Sequence, residues 1–189
     1  MLVPIEISAR HIHLCQSDLQ SLFGFGYELR KKSDLSQVGE FAAEEVLLIV
    51  TNKDQLQARI IGPCRKKTQV EISYSEARAL GISVPLRISG DLGGSGGVKL
   101  VGPQGELNLT EGVIIAQRHL HISTIEAESL GLTNNQKVKV KISGERAGVL
   151  DNIIVRIGED FRLRLHLDTD EANALGVSKD NCVGELVID

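Results

Sequence analysis

The sequence predicts a mostly β protein: two small β-barrels packed together and carrying short capping α-helices. Three observations predict it. Short stretches alternate apolar and polar residues with the two-residue period of a half-buried strand. Glycine and proline punctuate the chain between those stretches. A unit made of a strand end, a short helix and a glycine stop recurs along the chain.

Val3 to Ile7, Val138 to Ile142 and Phe161 to Leu165 alternate cleanly. Val46 to Val50, Ala58 to Ile61, Leu86 to Ile88, Val98 to Val101 and Gly112 to Ala116 are further runs of strand length. Gly62-Pro63, Gly102-Pro103 and the stretch 90–97 read as turns. The glycine-rich 90–97 resembles a phosphate cradle, but a strand follows it and Gly-Lys-Ser/Thr is missing, so it reads as a mobile turn or lid. Phe41-Ala42-Ala43-Glu44-Glu45 reads as a helical surface, with an acid/base role for the two glutamates as the sharper alternative.

The recurring unit is clearest in 71–81, 121–131 and 166–176, with a looser copy in 13–24. Ser73, Ser123 and Asp168 stand as N-caps, each with a glutamate three residues later (Glu76, Glu126, Glu171), which is the capping-box spacing. Gly81, Gly131 and Gly176 suit a left-handed position after the helix. His13, Glu71, His121 and His166 all occupy one register position, at the strand end just ahead of the cap.

That register carries the chemistry. The chain has 5 histidines, and four fall in two copies of one phrase, Arg10-His11-Ile12-His13 and Arg118-His119-Leu120-His121. In a strand, residues i and i+2 share a face, so each His-x-His projects two imidazoles side by side. Neutral imidazole nitrogen suits zinc and related metals. A single His-x-His is more often an ordinary half-exposed pair; two copies point to metal. Glu71, in the histidine register, joins the candidate ligands, against the bland reading of a solvated carboxylate.

Composition limits the remaining options. The chain has 189 residues, 42% hydrophobic, with formal net charge −4. It is long enough for a substantial core, and no basic face for nucleic acid or a membrane surface is implied. No apolar run approaches the roughly 20 residues of a spanning helix. Three cysteines (Cys15, Cys64, Cys182), without a CxxC pair, argue against a disulfide framework or a thiolate zinc knuckle. Cys15, two residues from a histidine, is better read as a small buried thiol than as a ligand. A cytoplasmic location is expected. Arg65-Lys66-Lys67, a few residues before Glu71, would place an anion site beside the metal, since arginine offers a planar fork suited to phosphate. No nucleophile elbow or Ser-His-Asp order is present.

Taken together, several phrases resemble the phosphate propanoyltransferases, the phosphotransacylases associated with bacterial microcompartments. They are Ser8-Ala9-Arg10-His11-Ile12-His13-Leu14, Leu35-Ser36-Gln37, Phe41-Ala42-Ala43-Glu44-Glu45, Gly62-Pro63-Cys64-Arg65, Thr68-Gln69-Val70-Glu71, Ser89-Gly90-Asp91, Arg118-His119-Leu120-His121 and 166–173. The likeness spans almost the full length. It implies two barrels with a two-zinc site between them: 1–9 with 117–189 as one, its N-terminal strand joined to the C-terminal half, and 10–116 as the other. It implies that His11, His13 and Glu71 hold one zinc, and that His119, His121 and His166 hold the other. It assigns Arg65 to phosphate, and Ser8, Lys32, Arg59 and Asn173 to coenzyme A. Relatives delivered to microcompartments carry an N-terminal helix ahead of the first strand; here that strand starts near residue 2, which favours a free cytoplasmic enzyme. Val38-Gly39-Glu40 departs from the family's usual Pro-Gly-Gln.

The activity so implied is reversible acyl transfer: acyl-CoA plus phosphate gives acyl phosphate plus CoA, with a propanoyl or acetyl group. The expected partners are these small molecules, with a homo-oligomer left open. The chief rival is a metal-dependent hydrolase using the same His/Glu cluster. Against it, Cys15 stands where the metallo-β-lactamase aspartate would be, and an amidohydrolase barrel needs about 250 residues. A non-catalytic, cupin-like metal-binding module is the second rival, and the Arg65 cluster speaks against it.

Overall fold

A computed structural model describes residues 1–178 and 182–187. In chain order the strands and helices are β1 (Leu2–Ser8), β2 (His11–His13), α1 (Gln16–Phe23), β3 (Lys31–Asp34), β4 (Phe41–Val50), β5 (Gln55–Gly62) and β6 (Gln69–Glu71). There follow α2 (Tyr74–Leu80), β7 (Leu86–Arg87), β8 (Gly96–Val101), β9 (Glu106–Ala116), β10 (His119–Ile122), α3 (Thr124–Ser129) and β11 (Lys137–Ile142). The last are β12 (Gly148–Ile157), β13 (Arg164–Asp168), α4 (Thr169–Ala174) and β14 (Val183–Val187). The mostly β architecture with short helices and two small barrels agrees with the sequence expectation. Among the described residues no helix is long and apolar enough to cross a membrane.

The chain divides into two compact units. Unit one contains Met1–Ala9, Ser36–Val38 and Gln117–Asp189; unit two contains Arg10–Leu35 and Gly39–Ala116. In unit one the strands close a ring in the order β1-β13-β10-β12-β11-β14. Its interior is filled by Val3, Ile5, Leu120, Ile122, Val140, Val155, Leu165 and Leu167, among others. In unit two the order β4-β5-β2-β6-β9 is closed by β8, which pairs with both β4 and β9. There the core includes Ile12, Leu14, Leu47, Ile49, Ile60, Val70 and Leu100.

The two rings share one pairing pattern. β2 runs parallel to β5 and antiparallel to β6, and β6 runs parallel to β9. β10 likewise runs parallel to β12 and antiparallel to β13, and β13 runs parallel to β1. The sequence repeat therefore maps onto equivalent strands. Each of β2, β6, β10 and β13 runs directly into a helix. Ser73, Ser123 and Asp168 close capping boxes with Glu76, Glu126 and Glu171. In the fourth copy Cys15 is the N-cap and makes no side-chain cap bond. Gly81 takes the left-handed conformation expected after α2, at φ 70°.

Three local expectations need correction. Phe41–Val50 is one strand, so Glu44 and Glu45 are not on a helix. Ala43, Glu45, Leu47 and Ile49 all point inward from it at period two, so the strand period governs the whole stretch. The strand expected from Phe161 begins only at Arg164. The Phe161 N–H donates to the Gly158 carbonyl at 3.2 Å in a turn, and its ring stacks on His121. The strands β3, β12 and β14 had no counterpart in the sequence reading.

Candidate functional site

In unit two, β2 positions the first pair of imidazoles. Ile12 is fully buried in the barrel core, so strand alternation turns His11 and His13 to the opposite face. β6 places Glu71 directly across from His11. His11 Nε2 lies 3.5 Å from Glu71 Oε2, and the His11 and His13 ring centroids are 4.9 Å apart. Unit one repeats this with a third imidazole in place of the carboxylate. Leu120 is buried, His119 and His121 flank it, and His166 on β13 stands across from His119. The three ring centroids lie 4.6 to 4.9 Å from one another. In each group the three potential ligand atoms all fall within 4.8 Å of one another.

The groups fit a divalent transition metal. Their donors are imidazole nitrogens and one carboxylate, the set zinc takes. Among the described residues neither group has a fourth His, Cys, Asp or Glu. Three protein ligands with an open position characterise catalytic rather than structural zinc. The rings are also oriented from behind. His119 Nδ1 is 2.9 Å from the Gln117 carbonyl, which can only accept, so the neutral ring carries its proton there and keeps Nε2 as a lone pair. The buried Nδ1 of His13 has no hydrogen-bond partner, although the ring also meets the Ile61 carbonyl. Burial, with the nearby His11 and Arg65 charges, pushes the His13 pKa down to about 3, so the ring is neutral and suited to ligation. Cys15 joins neither group; its thiol is 3.1 Å from Ser17 Oγ.

Beside the unit-two group lies a polar network. The Arg65 N–H donates to the Leu14 carbonyl at 2.8 Å, which ties Arg65 to the chain leaving β2. Its guanidinium donates from Nη1 to Ser89 Oγ at 3.3 Å and from Nη2 to Glu40 Oε1 at 3.0 Å. Ser89 Oγ donates to Glu71 Oε1 at 3.0 Å. The Gln69 amide donates to Ser89 Oγ at 2.8 Å and also to Glu71 Oε1. The Gln69 side-chain oxygen Oε1 accepts from the Gly90 N–H at 2.8 Å, so the start of the 90–97 loop is tied to the β6 strand. Of the basic cluster only Arg65 enters this network. Lys66 is exposed, and Lys67 is a surface residue 3.7 Å from Glu111.

Ser8 ends β1 with Oγ 3.4 Å from His166 Nδ1, and Asn173 is exposed on α4; both belong to unit one. Arg59 pairs with His11 across β2 and β5, and its guanidinium donates to the Ala43 and Glu44 carbonyls at 2.6 and 3.1 Å. Lys32 is exposed on β3; both it and Arg59 belong to unit two.

Sequence reasoning gave no role to Ser89, Gln69 or the arginine that opens each histidine phrase. Gln69 was findable, because it shares a face with Glu71 at i+2. Arg10 and Arg118 were findable from the repeat. Arg10 forms an ion pair with the capping-box Glu76, and Arg118 one with the capping-box Glu171, both at 2.7–2.8 Å. Each arginine thereby locks a His-x-His strand to the helix that follows the partner ligand strand. Ser89 arrives from a loop; the phrase Ser89-Gly90-Asp91 carried the family resemblance but no periodicity that would give the serine a role.

The phosphate propanoyltransferase family model matches residues 4–178. The chain belongs to the phosphate propanoyltransferase family. A phosphate propanoyltransferase of Shewanella putrefaciens is 48% identical over 188 residues, covering 98% of this chain and 89% of the relative. One of Citrobacter freundii is 46% identical over 187 residues, again 98% of this chain and 89% of the relative. One of Thermotoga maritima is 46% identical over 172 residues, 90% of this chain and 82% of the relative. The chain is thus an enzyme of the transferase class.

Proposed function

We propose that this enzyme interconverts acyl-CoA and acyl phosphate, with a propanoyl or acetyl group, and that it holds two zinc ions or similar divalent metals. His11, His13 and Glu71 would bind one metal; His119, His121 and His166 would bind the other. When bound, such a metal supplies a Lewis acid and stabilises a thiolate. The observation that carries the reading is the contiguity of Arg65, Ser89 and Glu71. An anion-binding guanidinium stands one hydroxyl away from a carboxylate of the metal-ligand set.

In the direction that consumes phosphate, Arg65 holds the anion and orients one oxygen towards the acyl carbon. The oxygen–carbon bond forms, the carbon–sulfur bond breaks, and CoA leaves as thiolate. Phosphate itself is the nucleophile, so no acyl-enzyme is needed, in keeping with the missing nucleophile elbow. In the reverse direction Arg65 stabilises the departing phosphate. Ser89 and Gln69 hold the Glu71 carboxylate in one orientation. We assign Ser8, Lys32, Arg59 and Asn173 to coenzyme A. A cytoplasmic location, small-molecule partners and no nucleic-acid or membrane partner complete the reading; net charge −4 supports it.

The test is to mix metallated protein with acetyl phosphate and CoA and follow thioester absorbance. Thioester formation dependent on both substrates is expected. Phosphate release without CoA would point instead to the hydrolase, and no turnover to a binding module.

A further inference from the structure

Arg65, the residue assigned to phosphate, already faces an anion belonging to the chain. Its Nη2 is 3.0 Å from Glu40 Oε1, and both side chains are about one-third exposed, at 35% and 34%. Glu40 reaches that position from a tight turn. Gly39 takes φ 83°, which an L side chain rarely adopts, and the Glu40 carbonyl accepts the Leu35 N–H at 3.1 Å. The backbone is fixed by that closing bond, while the partly exposed carboxylate can swing into solvent. The other edge of the guanidinium stays on Ser89.

We propose that Glu40 is a built-in competitor for the phosphate position of Arg65, weakening by a common factor every anion that must displace it. The inference rests on the assignment of Arg65 to phosphate. Glu40 meets Nη2 through one oxygen, the N–H a phosphate oxygen would also take, so the two compete for one position. A phosphoryl group, carrying about 1.5 to 2 negative charges in total near neutral pH, gains more from the same arginine than the singly charged carboxylate and displaces the side chain. Glu40 thus weakens phosphate and singly charged anions by the same factor, among them the carboxylates that acyl phosphates release on hydrolysis.

Glu40→Gln keeps the size and the turn and removes the charge, with Glu40→Ala as a second variant should the amide create new contacts. KM for phosphate is expected to fall about two- to fivefold, the scale of a partly exposed ion pair, while KM for acyl-CoA holds. Inhibition by nitrate or acetate, competitive with phosphate, should strengthen in the variant by the same factor. The phosphate concentration for half-maximal thermal stabilisation, measured without acyl-CoA, should fall by the same factor as KM. In an Arg65→Ala background Glu40→Gln should change none of these. If Arg65→Ala itself leaves the phosphate dependence unchanged, the assignment of Arg65 to phosphate fails. If Arg65→Ala raises KM but Glu40→Gln and Glu40→Ala leave it unchanged or raise it, competition is overturned and Glu40 instead orients the guanidinium.

Discussion

His11 and Glu71 form a directly opposed cross-strand pair, and the equivalent pair in the other barrel is His119 and His166. The carboxylate therefore stands where the second unit has an imidazole. The same strand pairing produces both, so on the proposed two-metal reading the position calls for a metal donor and not for a particular side chain. Three substitutions test this. Glu71→Ala should lose one metal equivalent and most of the activity. Glu71→His should recover part of the metal, because the equivalent position in the other barrel is the histidine His166. Glu71→Gln should bind weakly, since a neutral amide oxygen is a poor zinc ligand. Zinc stoichiometry, with circular dichroism as folding control, is the readout. A full metal complement in Glu71→Ala would remove Glu71 from the site.

The purified enzyme should carry close to two equivalents of divalent transition metal, one for each three-ligand group. Binding only to the folded state stabilises it by about 2.7 kcal/mol per site at a hundredfold excess over Kd. Chelation should therefore lower the melting temperature and abolish turnover, and zinc should restore both. His166→Ala should remove one equivalent and leave the Glu71 site loaded. Elemental analysis showing no transition metal after growth and refolding with zinc would overturn the metal assignment.

Most of the fold was legible because the barrels bury one strand face, which writes period two into the sequence. What escaped has a physical cause. β3 is exposed at every position, Lys31–Asp34, so no apolar alternation marks it. In β12 the exposed Asp151 and Asn152 precede the buried run Ile153–Val155 and hide the strand's first half. Glu45 was misplaced because a carboxylate in a buried strand position looks like a surface residue until its partners are seen. All six candidate ligands were legible because their strands repeat. Ser89 was not, because a hydroxyl supplied from a loop 18 residues after Glu71 leaves no periodic trace.

Ser89 bonds at once to Arg65, Glu71 and Gln69. Ser89→Ala should leave the fold intact and loosen both the guanidinium and the ligand carboxylate. Outer contacts to metal ligands are worth about 10- to 100-fold in metal affinity or activity. A fall in zinc affinity of that order at one site, with a raised KM for phosphate and an unchanged second site, is expected. Zinc titration of the variant with unchanged affinity at both sites would make Ser89 a loop residue only. Thr should restore part of the effect, because it keeps the hydroxyl.

Arg65→Ala should damage phosphate handling more than CoA binding. A charge-assisted hydrogen bond contributes about 1.5–3 kcal/mol, which is about one to two decades in kcat/KM for phosphate. Initial rates against phosphate and against acyl-CoA, measured on folded variant, separate the two. Unchanged phosphate dependence would exclude the contact.

Glu45 ties the chain that leads into β3, and its effect should depend on pH. The side chain is almost fully buried, at 2% exposure. It accepts from the Tyr27 hydroxyl at 2.8 Å, from the Arg30 backbone N–H at 3.2 Å and from Arg30 Nε at 3.0 Å. Burial pushes its pKa upward and is the largest single influence, but the bonds from Tyr27 and Arg30 together outweigh it, and the carboxyl sits below its ordinary 4.5. With the folded pKa depressed, the unfolded chain binds more protons as the pH falls below about 5. The stability Glu45 contributes is therefore fully present above its unfolded pKa and is lost as pH falls through the folded one. Glu45→Gln should cost about 1.5–3 kcal/mol at pH 7, the scale of hydrogen bonds to a charged group. Arg30 is largely exposed, so no buried cation is stranded to add to that cost. Urea unfolding of both proteins between pH 7 and pH 3 checks the sign: the gap should be constant from pH 7 to about 5 and narrow below it. A gap that stays the same down to pH 3 would mean that Glu45 acts through shape alone.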